Sequence, residues 1–274
     1  MGTDESNSLP RPRAKILMLH GNGQSGGYFH SKTRRIRDGL HQAFTTSISG
    51  KERPYFPEGL EFLYPDAPLP LPDNSSVEDS ANHDDNFQSL LTLYDNYDAR
   101  SSSRVWGYGD PASDELVGLE LTFRYLLGIM RTEGPFIGVM GFSTGACLAA
   151  VLAGLLERKD GCDFQDEGLK TQHPQLQFAI CFSGFKLTHP KFKSVYPSQI
   201  STPILHLAGI YDFWIPSSET NTLAETCANG KMIYFEGAHY VPRGEDAVTT
   251  VVNFIKESLN WDDEPAHMDD WVDI

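Results

Sequence analysis

A serine framed by glycines, Gly141-Phe142-Ser143-Thr144-Gly145, stands between the apolar run 136–142 and a stretch of helical character. This is G-x-S-x-G in the strand, turn and helix setting that the pattern requires. A sharp turn from strand into helix holds its central residue in a strained backbone conformation, with the side chain pointing out of the sheet. Small residues two positions away on either side let strand and helix approach, so Gly141 and Gly145 serve to present the Ser143 Oγ. A serine hydroxyl is a weak nucleophile until a base removes its proton, and the base needs an acid to orient it. Beyond the serine, in the order acid then histidine, Asp212 follows the apolar run 203–209 and His239 follows 231–237. Asp110 precedes Ser143 and Asp246 falls within the predicted final helix, so neither competes with Asp212. Ser143, His239 and Asp212 together have the chemistry of nucleophilic attack on an acyl carbon.

An oxyanion formed by that attack needs backbone N–H donors. One is expected from Thr144, directly after the nucleophile. The other is expected from the loop after the first apolar run, "HGNGQSGG", where Asn22 is the candidate and Gly23 a near equal. His20 in this loop is expected to orient it and to transfer no proton.

These residues must be carried to one place by the elements between them. Six short apolar runs, 14–21, 60–65, 136–142, 177–184, 203–209 and 231–237, are continuous rather than alternating, which is the pattern of strands covered on both faces. Helices are predicted at about 31–44, 113–130, 144–157, 217–228 and 244–259. The second of these is the most periodic, with Ser113 as its cap and Leu116, Leu119, Phe123, Leu126 and Met130 on one face. Strands alternating with helices imply an α/β fold, a doubly wound, mainly parallel sheet of about six strands whose ligands bind at the carboxyl ends. Ser143, Asp212 and His239 all fall at such ends. Residues 66–112 break the rhythm with a Pro-, acid- and aromatic-rich stretch, read as a lid or a solvated insertion. Residues 1–13 and the acidic 261–274 are read as extensions of a single domain spanning 14–260.

The chain has 274 residues, 40% hydrophobic and 22% charged, with a formal net charge of −15. Such an acidic balance argues against nucleic acid as a partner, because phosphate binding uses clustered Lys and Arg. No apolar run is long enough to span a membrane, and the N-terminal stretch lacks the apolar core of a secretory signal, so a cytoplasmic protein is expected. Cys147, Cys162, Cys181 and Cys227 are scattered, which favours reduced thiols over a disulfide framework or metal site. The reaction outlined requires neither a metal nor a cofactor.

Five segments taken in order resemble the FSH family of serine hydrolases, small α/β-hydrolases. They are "LHGNGQSG", "GFSTGACLA", "CFSGF", "GIYDFWIP" and "GAHYVP", and the likeness spans about Lys15 to Leu259. The resemblance implies an α/β-hydrolase fold with Ser143, Asp212 and His239 as the triad. It also implies one of two roles. One is a carboxylesterase of short to medium acyl esters; the other is a thioesterase that releases a polyketide from the acyl carrier domain of its synthase. The second is taken as the leading expectation, with a non-catalytic ligand-binding scaffold as the alternative of a different class. Two positions depart from the family pattern: Thr144 stands where Gln is frequent, and Gly107 follows Trp106 where a second Trp is frequent. Trp106, Phe185 and Trp214 are candidates to shape the acyl pocket. The basic cluster Lys32, Arg34 and Arg35 is the candidate surface for an acidic carrier, or else an ordinary solvated helix face.

Overall fold

The apolar runs become strands because each buries side chains on both of its faces. In this computed structural model the described residues are 13–45, 56–71, 103–110, 115–158, 172–190, 192, 196 and 199–260. The chain runs through β1 (Ala14–Leu19), α1 (Gly26–Lys32), α2 (Arg34–Thr45) and β2 (Leu60–Leu63). Four short strands follow, β3 (Leu69–Pro70), β4 (Arg104–Val105), β5 (Tyr108–Asp110) and β6 (Glu115–Val117). The second half comprises α3 (Leu119–Glu133), β7 (Phe136–Phe142), α4 (Thr144–Leu156), β8 (Phe178–Phe182), β9 (Ile204–Gly209), α5 (Ser217–Ala224), β10 (Gly230–Phe235) and α6 (Glu245–Ser258).

Six strands form one parallel sheet in the order β10-β9-β8-β7-β1-β2. This is the α/β-hydrolase arrangement. Alternate residues of each strand feed opposite cores. Leu17, Leu19, Val139, Ala179 and Cys181 meet α3 and α4 on one side, whereas Ile16, Met18, Met140, Ile180 and Phe182 meet α1, α2 and α6 on the other. The reversal of strand order at β1 and β7 places a crevice at the carboxyl edge, the position where α/β sheets hold ligands. All thirteen residues of α4 are buried, which makes this helix the centre of the fold behind Ser143.

Three predicted helices are drawn differently. The helix expected at 31–44 is two, α1 and α2, broken at Thr33, whose hydroxyl donates to the Phe29 carbonyl at 2.9 Å. The helix expected at 113–130 begins only at Leu119, because Glu115–Val117 pairs antiparallel with Tyr108–Asp110; Ser113 lies outside the described residues. The helix expected at 217–228 ends at Ala224. Of the predicted insertion 66–112, residues 72–102 and 111–112 lie outside the described residues, and its two flanks are joined where β3 pairs with β4. The described thiols of Cys147, Cys181 and Cys227 are free and buried. Among the described residues no helix is long and apolar enough to cross a membrane.

Candidate active site

Ser143 has φ 55° and ψ −122°, a conformation that L-residues seldom adopt and that surrounding structure must hold in place. The reason lies in its neighbours. A Cβ on Gly141 would stand 2.1 Å from the Gly145 carbonyl oxygen, and one on Gly145 would stand 2.2 Å from that of Leu19. Only glycines allow strand β7, helix α4 and strand β1 to close on one another at this corner. The Ser143 N–H is tied to the Phe182 carbonyl at 2.9 Å, and its own carbonyl receives Ala146 and Cys147 from the first turn of α4. The side chain is left partly accessible above the carboxyl edge of the sheet.

Asp212 and His239 stand on the loops after β9 and β10. These loops are stitched together by the Tyr211 N–H on the Gly237 carbonyl at 2.9 Å. His239 Nδ1 lies 2.8 Å from Asp212 Oδ2. The carboxylate can only accept, so Nδ1 carries the proton and Nε2 keeps its lone pair. The other carboxylate oxygen accepts the backbone N–H groups of Trp214 at 3.0 Å and Ile215 at 2.9 Å. Burial alone would push the Asp212 carboxyl up. The hydrogen bond from His239, that from Ile215 and the charge of His239 outweigh it and hold the group below its ordinary value. The imidazole also leans on Phe142, with ring centroids 4.7 Å apart. An acceptor nitrogen with a fixed ring plane is what a base for a neighbouring hydroxyl requires.

The oxyanion loop is braced from below. Burial pushes His20 down to about 4, against the hydrogen bond to Gly21 and the charge of Asp66. Its Nδ1–H donates to the Gly21 carbonyl at 2.7 Å and its Nε2 accepts the Ala67 N–H at 3.0 Å. Both nitrogens are thus occupied, and neither can serve as a base. The Gly23 N–H donates to the Arg104 carbonyl at 3.0 Å, which removes Gly23 as an oxyanion donor. Asn22 uses its side-chain oxygen to accept the Trp106 N–H at 3.1 Å, and its own backbone N–H has no partner among the described residues.

Of the three candidate pocket aromatics, one, Trp214, lines a cavity of about 420 Å³ beside His239. Trp106 does not: it is fully buried and spends its indole N–H on the His20 carbonyl at 2.8 Å, so it supports the oxyanion loop from behind. Phe185 packs against the core on the α4 side and does not line the cavity. Lys32 lines the cavity, whereas Arg34 forms an exposed pair with Asp38 at 3.6 Å and Arg35 is exposed. Sequence reading missed Ser183, at the carboxyl end of β8. It is buried at φ 49°, lies by the Asp212 carboxylate and favours its anion, although its Oγ makes no hydrogen bond of normal geometry. Its place in "CFSGF", one loop from the nucleophile, was the available signal. Tyr211 and Phe213, which flank Asp212, were also missed; both line the cavity. Among the described residues no group of three or more His, Cys, Asp or Glu is arranged to hold a metal.

Residues 10–251 match the family described as Serine hydrolase (FSH1). The chain belongs to this family. It is 30% identical over 251 residues to Family of serine hydrolases 3 of Saccharomyces cerevisiae, covering 89% of this chain and 84% of that protein. It is 29% identical to an esterase of Drosophila melanogaster, covering 90% of this chain and 75% of that one. An uncharacterized hydrolase of Schizosaccharomyces pombe is 26% identical over 89% of this chain, which spans about half (51%) of that relative's length. Among solved structures, esterase PE8 superposes with a TM-score of 0.56 at 18% identity, over 90% of this chain and 93% of that one. Acyl-protein thioesterase 2 of Zea mays gives 0.53 at 16% identity, over 91% and 96%. At such identities the two structures speak for the fold. As a member of the family, this chain is a serine hydrolase.

Proposed function

We propose that Ser143 is the nucleophile, His239 the general base and acid, and Asp212 the residue that orients and stabilises the imidazole, in the hydrolysis of a carboxylic ester or thioester. The observation that carries this reading is the 2.8 Å bond from His239 Nδ1 to a buried carboxylate, with the imidazole centroid 4.7 Å from that of the ring of Phe142, the residue before a serine held at φ 55°. His239 Nε2 takes the proton from Ser143 Oγ as the Oγ–C bond forms. The carbonyl oxygen becomes an oxyanion, received by the N–H groups of Thr144 and Asn22. His239 then returns the proton to the leaving alcohol or thiol as its bond to carbon breaks, giving an acyl-enzyme. Water attacks in turn, gives a proton to the same nitrogen, and the acid leaves with Ser143 restored.

Within the class, a small or medium ester or thioester is favoured over a carrier-bound one. Lys32 lines the cavity beside His239, whereas Arg34 is paired with Asp38 and neither Arg34 nor Arg35 lines it, so the expected carrier-docking trio does not act as one basic surface. A polyketide carrier therefore has weaker support than a free substrate in the aromatic cavity. Incubation with a fluorophosphonate probe tests the roles: labelling at Ser143, absent from Ser143→Ala, is expected. Folded wild-type protein that stays unlabelled would point instead to a ligand-binding scaffold.

A further inference from the structure

The cavity beside His239 reverses the charge of the protein around it. Acids outnumber bases 37 to 22 in the chain, yet the side chains that line this cavity include Lys32 and Arg243 and no carboxylate. Among the described residues neither cation has an ion-pair partner. Lys32 is held over the face of Tyr28, a contact that fixes the ammonium without neutralising it. Arg243 comes from the histidine loop, four residues beyond His239, so the two cations approach from unrelated parts of the fold. The same cavity is lined by the aromatics Trp214, Tyr240 and the 91% exposed Phe213. It also takes in Phe142, which precedes Ser143, and His239. A mainly aromatic cavity that takes in His239 and Phe142, together with two cations that lack ion-pair partners among the described residues, is suited to a substrate with a neutral scissile carbonyl and an anionic end.

We propose that this cavity selects esters or thioesters carrying a carboxylate or a phosphate, bound by Lys32 and Arg243. The inference rests on the serine hydrolase reading above and adds the charge of the substrate to it. A general field of −15 repels anions, so local positive charge is needed to admit one, and its effect weakens as salt screens it. The anion can belong to the acyl part or to the leaving group, and the experiment separates the two.

Two matched substrate pairs are assayed on the full chain. For the acyl side, the mono-p-nitrophenyl ester of glutaric acid is compared with p-nitrophenyl pentanoate; for the leaving side, butyryl-phosphopantetheine is compared with butyryl-pantetheine. In one pair kcat/KM is expected to favour the anionic member by about tenfold at low ionic strength, as for a charge-assisted hydrogen bond in a partly desolvated site. The ratio should shrink as salt is raised, and fall to near one in the Lys32→Met, Arg243→Met double variant. Preference in the first pair assigns the anion to the acyl part; preference in the second assigns it to the leaving group. Turnover of the neutral esters with a ratio at or below one in both pairs overturns the inference while leaving the hydrolase standing. A ratio unaffected by salt and by the substitutions also overturns it. If neutral esters are not hydrolysed and the fluorophosphonate does not react, both readings fall together. Should the double variant not fold, the single variants and the salt dependence of the wild type give the same decision.

Discussion

Lowering the pH from about 7 to about 5 should unload stability from two buried histidines, and His206 offers the cleaner measurement. His206 sits on β9, fully buried, with Nε2 3.5 Å from the Cys227 thiol and Nδ1 without a hydrogen-bond partner. Burial pushes it down to about 4, and His20 is likewise held at about 4, against 6.5 for either side chain in the unfolded chain. Between those values the unfolded state binds more protons than the native state, so stability rises with pH. The contribution is fully present above 6.5 and is lost as pH falls towards and through 4. From 7 to 5 each histidine accounts for a loss of about 2 kcal/mol, so the pair accounts for about 4. The net charge of −15 also shrinks as the pI of about 4.9 is approached, which eases self-repulsion and acts in the opposite sense. Wild type alone therefore cannot isolate the effect; a paired variant can. Urea denaturation of wild type and His206→Leu at about pH 7, 6 and 5 should give a difference in stability that narrows or reverses by about 2 kcal/mol in favour of the variant at the acid end. Parallel stability curves over that interval would refute the idea that His206 is kept neutral by burial.

Gly145→Ala should cost at least about 3 kcal/mol, because the new Cβ would meet the Leu19 backbone oxygen at 2.2 Å and that oxygen belongs to a central strand. Thermal unfolding reads this, and an unchanged midpoint would contradict the packing at the corner. Asp212→Asn should lower kcat by about 10⁴ with modest change in KM, since the imidazole loses its orientation; near-normal turnover would move the acid elsewhere. Trp106→Phe keeps an aromatic ring at this fully buried site but removes three ring atoms and leaves the His20 carbonyl without its donor. It should cost about 1–3 kcal/mol in stability and lower kcat more than it changes KM, since the oxyanion loop rests on that bond. A change in KM alone would return Trp106 to the acyl pocket.

The catalytic candidates were legible because each is announced by local chemistry. Glycines at 141 and 145, an acid after one apolar run and a histidine after the next need no knowledge of distant contacts. The strands were legible for a related reason, since a continuous apolar run reports burial on both faces. What escaped was decided by partners far away in sequence. Trp106 reads as a pocket aromatic until its indole is found on the His20 carbonyl, and Gly23 reads as a donor until Arg104 is found to occupy its N–H. The periodic face 116–130 is helical from Leu119, but Glu115–Val117 is claimed by a strand partner, a tertiary contact that overrides local preference. Lys32 of α1 and Arg243 of the histidine loop line one cavity with His239, and no spacing rule connects them.

These distant contacts also explain how the site sustains its strain. A residue at φ 55° stores conformational energy of about 1–3 kcal/mol and would relax if either flank were soft. Neither is. Behind Ser143 lies α4, buried along its whole length, and in front of it β7 is paired on both sides by β1 and β8. Ser183, at the end of the neighbouring strand, repeats the device with φ 49° and a backbone N–H anchored to the Leu207 carbonyl at 2.8 Å. Two neighbouring strand ends of the sheet thus carry strained serines, one the proposed nucleophile and the other lying by the carboxylate that is bonded to His239. The acid and histidine loops are longer and more exposed, with Tyr211 57% and Phe213 91% accessible. Rigidity therefore lies where the proposed nucleophile and oxyanion donors must hold their positions. Freedom to vary lies in the surfaces that line the cavity, so on the proposed reading changes in specificity can arise at Lys32 at the end of α1, or at Phe213, Trp214 and Arg243 in the loops, without disturbing the corner that holds Ser143.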